Sequence, residues 1–220
     1  LHPRVRRQRQ MCIRDSGMIQ QNKGNDAQQM ILYVSQYIRY TFRDNSSLVP
    51  LQTELNQVQN YYKLQKLNTR DSSELTISAD PAVSKFPVPM LCIQTFVENS
   101  FKHGRISSQP LNVHISVQLT ETEEGNYLNI SIQDNGTGFP DEFLQSFLQH
   151  TEDAVTGQHI GIHNLRQRLT LLYGDQAGLI CMNNSSGALT EIILPIQEEP
   201  NTSSETKSSL LSNENLFSLS

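Results

Sequence analysis

Apolar residues recur at helical spacing in four stretches of the 220-residue chain and alternate with polar ones in five others. In residues 26–45 the stripe is Ile31, Val34, Ile38 and Phe42, with Asp26 placed to cap the helix. The segment DNSSLVP then breaks the pattern, and Pro50 opens a second helix in which Leu51, Leu55, Val58 and Tyr62 repeat at intervals of four, three and four. Two amphipathic helices joined by a short polar turn make an antiparallel hairpin. The pair alone cannot bury both stripes, so the hairpin is expected to dock on something further, its own copy in a dimer being one choice.

From Glu74 the period changes to two. Residues 74–79 (ELTISA), 111–119 (LNVHISVQL), 127–133 (YLNISIQ), 179–182 and 189–194 read as strands, the second and third joined by the hairpin loop TETEEGN. Between the first two, residues 87–102 carry Met90, Ile93, Val97 and Phe101 as a helical stripe opened by proline. Residues 160–173 carry Ile162, Leu165, Leu169 and Leu172 and run into Gly174, a helix-stop signal. The order strand, helix, two strands, two helices, two strands predicts an α+β sheet with helices on one face. The domain proper is expected over 71–197, with the hairpin over 18–70. Residues 1–17 are set aside from the fold as one sets aside a tag, because LHPRVRRQRQMCIRDS has no period and MCIRDS resembles one reading frame of a sequencing adapter. Residues 198–220, rich in Ser, Asn and Glu, are expected to be a disordered tail.

Composition narrows the function. Apolar residues are 36% of the chain and charged residues 18%, enough for one core when the apolar positions cluster. The net charge of −5 is uneven: five Arg fall within residues 1–16, and the body is acidic, which argues against a nucleic-acid groove. No apolar run approaches the roughly 18–20 residues of a membrane span. Cys12, Cys92 and Cys181 lack CxxC spacing, which argues against a disulfide framework or zinc knuckle and for a reducing compartment.

Three segments carry candidate chemistry. Asp134-Asn135-Gly136-Thr137-Gly138 stands where a strand runs out. A carboxylate there can accept a hydrogen bond from an exocyclic amine while the glycines let a flat ligand lie against the backbone; the same residues also make an ordinary turn. Facing position six of a purine, the carboxylate favours adenine over guanine, whose carbonyl sets acceptor against acceptor. Glu98-Asn99-Ser100-Phe101-Lys102-His103-Gly104 ends a helix with Glu98, Asn99, Lys102 and His103 off the apolar stripe. The Asn99 oxygen suits Mg²⁺, Glu98 can polarise a nucleophile, and Lys102 and His103 can meet phosphate; a polar helix end complementing its dipole reads the same way. Gly157 through Asn164, with Gly161 between, opens the last helix, where backbone N–H groups bind phosphate. Residues 140–156, between the Asp134–Gly138 turn and Gly157, fit a mobile lid or a surface loop. His159 and His163 stand four apart without a further zinc ligand.

Taken in order, VENSFKHG (97–104), QDNGTGF (133–139) and HIGIHNLRQRLTLLYG (159–174) resemble the N, G1 and G2 boxes of the GHKL ATPases. With VPLQTELNQVQNYYKLQKL (49–67) preceding FPVPMLCIQTFVENSFKHG (86–104), the chain is similar to the cytoplasmic end of LytS/YesM-type sensor histidine kinases over about residues 26–196. The resemblance implies a Bergerat-type α/β sandwich, a mixed sheet with helices on one face, binding ATP and Mg²⁺. It implies that Asp134 binds the adenine amine, with Gly136 and Gly138 shaping the pocket. Asn99 would hold Mg²⁺ and Glu98 would be the polarising carboxylate. Lys102 and His103 would lie near phosphate, with Gly157, Gly161 and Asn164 on the phosphate-side helix. It further implies a homodimer through the hairpin helices, a response regulator as partner, and a cytoplasmic position in a parent anchored in a membrane through a missing N-terminal part.

The chain departs from the family pattern in three places. His159 stands where a glycine is frequent. Gly187-Ala188 stands where Gly-Thr is frequent, which removes a hydroxyl near the adenine side, with Thr190 close in sequence. No P-H-F-L-F-N-like phosphoacceptor segment is present, so the chain as given is expected not to phosphorylate itself. Beside the kinase reading stand a GHKL ATPase that hydrolyses ATP without signalling and a degenerate module that binds a partner through the hairpin.

Overall fold

The computed structural model describes residues 24–41, 48–69, 72–106, 109–123, 125–149 and 160–196. The expectations for 1–17, 198–220, Gly157 and His159 lie outside the described residues. The first helices are α1 (Gly24–Thr41) and α2 (Leu51–Thr69), with a three-residue strand β1 (Leu48–Pro50) directly before α2. In α2 the expected positions Leu51, Leu55 and Val58 are buried, joined by Tyr61 and Leu64, while Tyr62 is half-buried. In α1 the buried face differs from the expected stripe. Met30 and Tyr40 are buried and Tyr37 packs on the core, whereas Ile31 and Ile38 are 48% and 41% exposed. The helix is apolar on more than one side, and the face it turns inward is the one whose tyrosine hydroxyls find buried acceptors.

The five-stranded sheet is built from β2 (Glu74–Ala79), β4 (Asn112–Thr122), β5 (Gly125–Asp134), β6 (Gly178–Asn183) and β7 (Ala188–Pro195). Its order is β2-β4-β5-β7-β6, with β2 parallel to β4 and every other pair antiparallel, so the sheet is mixed. Val113, Ile115 and Val117 of β4 and Leu128, Ile130 and Ile132 of β5 alternate onto one face, which the helices cover. Those helices are α3 (Cys92–His103), α4 (Asp141–Gln149) and α5 (Ile160–Tyr173). On α5, Ile162, Leu165 and Leu169 are buried as the spacing predicts. Leu172 is exposed instead, because the helix gives way two residues later at Gly174, whose φ is +60°.

The helix expected from Pro87 starts only at Cys92. Residues Pro87–Pro89 form a strand, β3, that pairs antiparallel with β1 and sets Val88 opposite Val49. Two prolines flanking Val88 bias it to extended backbone and withhold two donors, which a two-stranded ribbon tolerates and a helix does not. Leu91 then turns the chain at φ +65° into α3.

The hairpin is tied to α3 by a buried carboxylate. Glu54 of α2 is 0% exposed. Its Oε1 accepts from the Tyr40 hydroxyl and from the Leu91 N–H at 2.6 Å, and its Oε2 accepts from the Ile93 N–H at 3.1 Å. The first N–H groups of a helix have no partner within it, so a carboxylate there satisfies both hydrogen bonding and the dipole. Burial pushes the Glu54 carboxyl above the usual range, and burial together with Glu54 raises the Tyr40 phenol.

Candidate functional site

Alternation along β5 puts Asp134 on the same inward face as Ile130 and Ile132, at the strand's end. The side chain is 5% exposed and fully engaged at one oxygen: Oδ1 accepts the N–H of Gly136 at 2.9 Å and of Ala188 at 3.1 Å. The other oxygen, Oδ2, accepts the Ser100 hydroxyl of α3 at 2.5 Å. Three elements therefore converge on one carboxylate.

The turn after Asp134 is stapled to the end of α3. Thr137 donates its N–H to the Gly104 carbonyl at 3.2 Å and its hydroxyl to the His103 carbonyl at 3.1 Å. The approach is so close that a Cβ on Gly136 would stand 2.2 Å from the Gly104 oxygen. Asn135 fixes the other side, accepting from the Asn112 N–H at 2.7 Å and donating to the Pro110 carbonyl at 3.0 Å. At the next step, Asn183 of β6 clasps Phe139, accepting its N–H at 2.7 Å and donating to its carbonyl at 2.9 Å.

These contacts border an open cleft whose free space, its mouth to solvent included, is about 440 Å³. Phe96, Asn99, Ser100 and His103 line it from α3, with Ile132 and Asp134 from β5. Gly138, Phe139 and Pro140 form the rim after the turn, and Ala188 and Thr190 of β7 close the floor. Thr190 is buried beside Cys181, its cross-strand neighbour, and burial pushes the Cys181 thiol up to about 12.

Of the residues singled out from sequence, Asn99, His103, Asp134 and Gly138 meet at this cavity, and Gly136 backs Asp134. Glu98 is off the cavity lining. Its Oε1 accepts from the Tyr37 hydroxyl of α1 at 2.7 Å and from Gln94 Nε2 at 3.2 Å, and Lys102 forms an ion pair with its Oε2. Lys102 is thus drawn to its own helix neighbour. Gly161 and Asn164 sit exposed in the first turns of α5, outside the lining, where Gly161 lies against Thr95 of α3. On the same helix, His163 meets Phe143 and Phe147 in edge contacts, and the Arg166 guanidinium lies 4.1 Å from the Phe147 ring centroid. Among the described residues no group of three or more His, Cys, Asp or Glu side chains comes together. A Mg²⁺ ion here would depend on Asn99 and on a ligand's phosphates, the mode that ion favours.

Sequence reasoning missed Ser100, Asn183, Tyr37 and Glu54. Glu54 alone left a signal, since it falls three residues after Leu51 and one before Leu55, inside the buried stripe.

The sequence model described as histidine kinase-, DNA gyrase B-, and HSP90-like ATPase matches residues 88–200, more than half of the chain. The chain belongs to that family. A second model, described as histidine kinase, matches residues 14–73. An uncharacterized sensor-like histidine kinase of Staphylococcus epidermidis is 32% identical over 172 residues, covering 77% of this chain and 33% of that protein. The sensor protein LytS of Staphylococcus epidermidis is 30% identical over 170 residues, covering 77% of this chain and 28% of LytS. The chain thus spans about a third of the length of these curated relatives. Among solved structures, the nucleotide-free catalytic domain of histidine kinase ThkA superposes with a TM-score of 0.50 at 13% identity, covering 68% of this chain and 94% of that one. That likeness shows the fold, a Bergerat-type sheet with helices on one face, here preceded by the hairpin. No helix among the described residues is long and apolar enough to cross a membrane.

Proposed function

We propose that this chain is the ATP-binding catalytic part of a LytS/YesM-type sensor histidine kinase, transferring the γ-phosphoryl of ATP to a histidine on another segment. The carrying observation is Asp134. Two backbone N–H groups saturate its Oδ1, and Oδ2, which accepts one bond from the Ser100 hydroxyl, keeps a lone pair for an exocyclic amine in the cavity. Ile132 and Phe139 supply apolar lining for a flat base, and Gly136 lets the turn come close to α3. Asn99 and His103 stand on the same helix face as Ser100, toward the phosphate side, and Asn99 supplies the hard oxygen Mg²⁺ requires. Bound Mg²⁺ supplies charge neutralisation for the transferring phosphoryl group. Glu98 is the polarising carboxylate for the acceptor histidine, held in place by Tyr37 and Lys102. Gly161 and Asn164, in the first turns of α5, belong to the phosphate side.

On this reading the hairpin contributes to a homodimer, supported by the exposed Ile31, Leu32 and Ile38 on α1, and a response-regulator aspartate receives the phosphoryl group. The parent protein is anchored in a membrane through another segment, with this part cytoplasmic. Calorimetric titration of the chain with ATP, with and without Mg²⁺ and again with GTP, tests the site. Binding of ATP that Mg²⁺ strengthens, little binding of GTP, and a loss of at least tenfold in Asp134→Asn are the expected results. Unchanged affinity in Asp134→Asn refutes the adenine assignment. Rapid phosphate release with no histidine acceptor supplied favours a hydrolysing ATPase over a kinase.

A further inference from the structure

We propose that Asn183 is a positioning residue that holds the cavity rim at Phe139 and thereby sets how long a nucleotide stays bound. The inference rests on the reading of the cavity as a nucleotide site and gives that site a fixed front wall. Asn183 ends β6 and shares its inward face with Cys181. Its amide meets the Phe139 backbone as a neighbouring strand would: Oδ1 accepts the N–H at 2.7 Å and Nδ2 donates to the carbonyl at 2.9 Å. That takes a donor and an acceptor side by side, which a carboxamide has and a carboxylate or an alkyl group lacks. Gly138 is fitted to the same clasp. Its φ is +78°, and a Cβ there would stand 2.7 Å from Asn183 Oδ1 and 2.9 Å from Asn183 Cγ. The three atoms such a Cβ meets first all belong to Asn183, so the missing side chain makes room for the clasp.

What the clasp holds is the head of a wall. Phe139 and Pro140 line the cavity, and the Phe139 ring centroid lies 5.3 Å from that of Phe143 in the first turn of α4. Phe143 and Phe147 are buried and follow one another at 5.5 Å. At the far end, Arg166 of α5 donates to the Phe147 carbonyl at 2.6 Å, one of the last-turn carbonyls that have no partner within their own helix. The segment is thus tied at its head to β6 and at its foot to α5. Residues 140–149, which the sequence allowed to be the start of a mobile lid, form a strut. Without Asn183 the Phe139 backbone loses the two bonds that fix the rim, while Asp134 keeps its bonds to Ser100, Gly136 and Ala188. A bound nucleotide then keeps its floor and loses its front wall, which acts on escape more than on encounter.

The test compares the wild-type chain, Asn183→Ala, Gly138→Ala and the double variant, with circular dichroism melts to confirm that each is folded. Hydrogen exchange of a peptide spanning residues 137–149, followed by mass spectrometry without nucleotide, reports the clasp itself. Stopped-flow release of methylanthraniloyl-ATP in the presence of Mg²⁺ reports residence. Asn183→Ala is expected to speed exchange at Phe139 and to raise the release rate about fivefold, with the association rate within about twofold. Gly138→Ala in the wild-type chain displaces the amide and acts in the same direction. Beside Asn183→Ala it adds less than about twofold, because the methyl group then has no amide to displace. Effects of the two substitutions that multiply in full would trace to backbone strain at Gly138 and overturn the proposal. Faster exchange with an unchanged release rate would mark a structural role and overturn it too, as would unchanged exchange in Asn183→Ala. A wild-type chain that binds no nucleotide overturns the site reading and this proposal with it, an outcome that the exchange result, read without nucleotide, keeps distinct from the others.

Discussion

Glu54→Leu removes the acceptor that ties the hairpin to the start of α3 while keeping a side chain of similar size. Three strong donors lose their partner, the Leu91 N–H, the Ile93 N–H and the Tyr40 hydroxyl, and the Cys92 thiol loses a weak one 4.0 Å away. Each buried donor left unsatisfied costs about 1–3 kcal/mol. Leucine at a fully buried position returns about 1.5–3 kcal/mol of apolar burial. At the middle of both ranges the net loss is about 4 kcal/mol, a large fraction of the about 5–15 kcal/mol that stabilises an ordinary domain. Denaturant unfolding of the full chain followed by circular dichroism measures it, with Glu54→Gln as the comparison that keeps one acceptor oxygen and loses less. A Glu54→Leu loss below about 1 kcal/mol refutes the reasoning, because the donors at the start of α3 would then not depend on Glu54.

The same carboxylate gives a signed pH dependence. Burial raises its pKa in the folded state, so between the unfolded value of about 4.3 and the folded one the native chain holds the proton more tightly. Its contribution to stability is fully present below the unfolded pKa and is lost as pH rises through the folded pKa. Subtracting the Glu54→Gln curve from the wild-type curve should leave stability falling with pH in that window. A rising difference would mean that the three hydrogen bonds to the carboxylate outweigh its desolvation.

Two further outcomes follow from packing. Gly136→Ala sets a methyl group 2.2 Å from the Gly104 oxygen and should destabilise the chain by about 1–3 kcal/mol or more, since backbone rather than a flexible side chain must give way; wild-type stability in denaturant refutes this. Burial holds the Cys181 thiol at about 12 and the Cys92 thiol well above its usual value, so at pH 8 neither should react with iodoacetamide until the chain unfolds, as mass spectrometry of the native and denatured protein would report.

What could be read from sequence was whatever depends on near neighbours. Strand alternation and local turn chemistry put Asp134 where its strand runs out with Gly136 and Gly138 after it, so one wall of the cavity was legible before any tertiary contact was known. The prolines that suggested a helix start at Pro87 instead form a ribbon with β1, a pairing set by residues nearly forty positions away that no local pattern reports. Distance in sequence also hid the partner of Glu98, since Tyr37 lies 61 residues before it. The α1 helix shows why periodicity alone was insufficient. It carries apolar residues on two faces, and a helical period ranks them by spacing without saying which face has acceptors waiting. The face chosen inward, Met30, Tyr37 and Tyr40, is the one whose hydroxyls reach Glu98 and Glu54. The regular stripe of Ile31 and Ile38 is left outward, where only another surface can bury it. One helix thus serves two surfaces at once, so whatever covers its outer stripe acts on the same element that holds the Glu98 carboxylate through Tyr37.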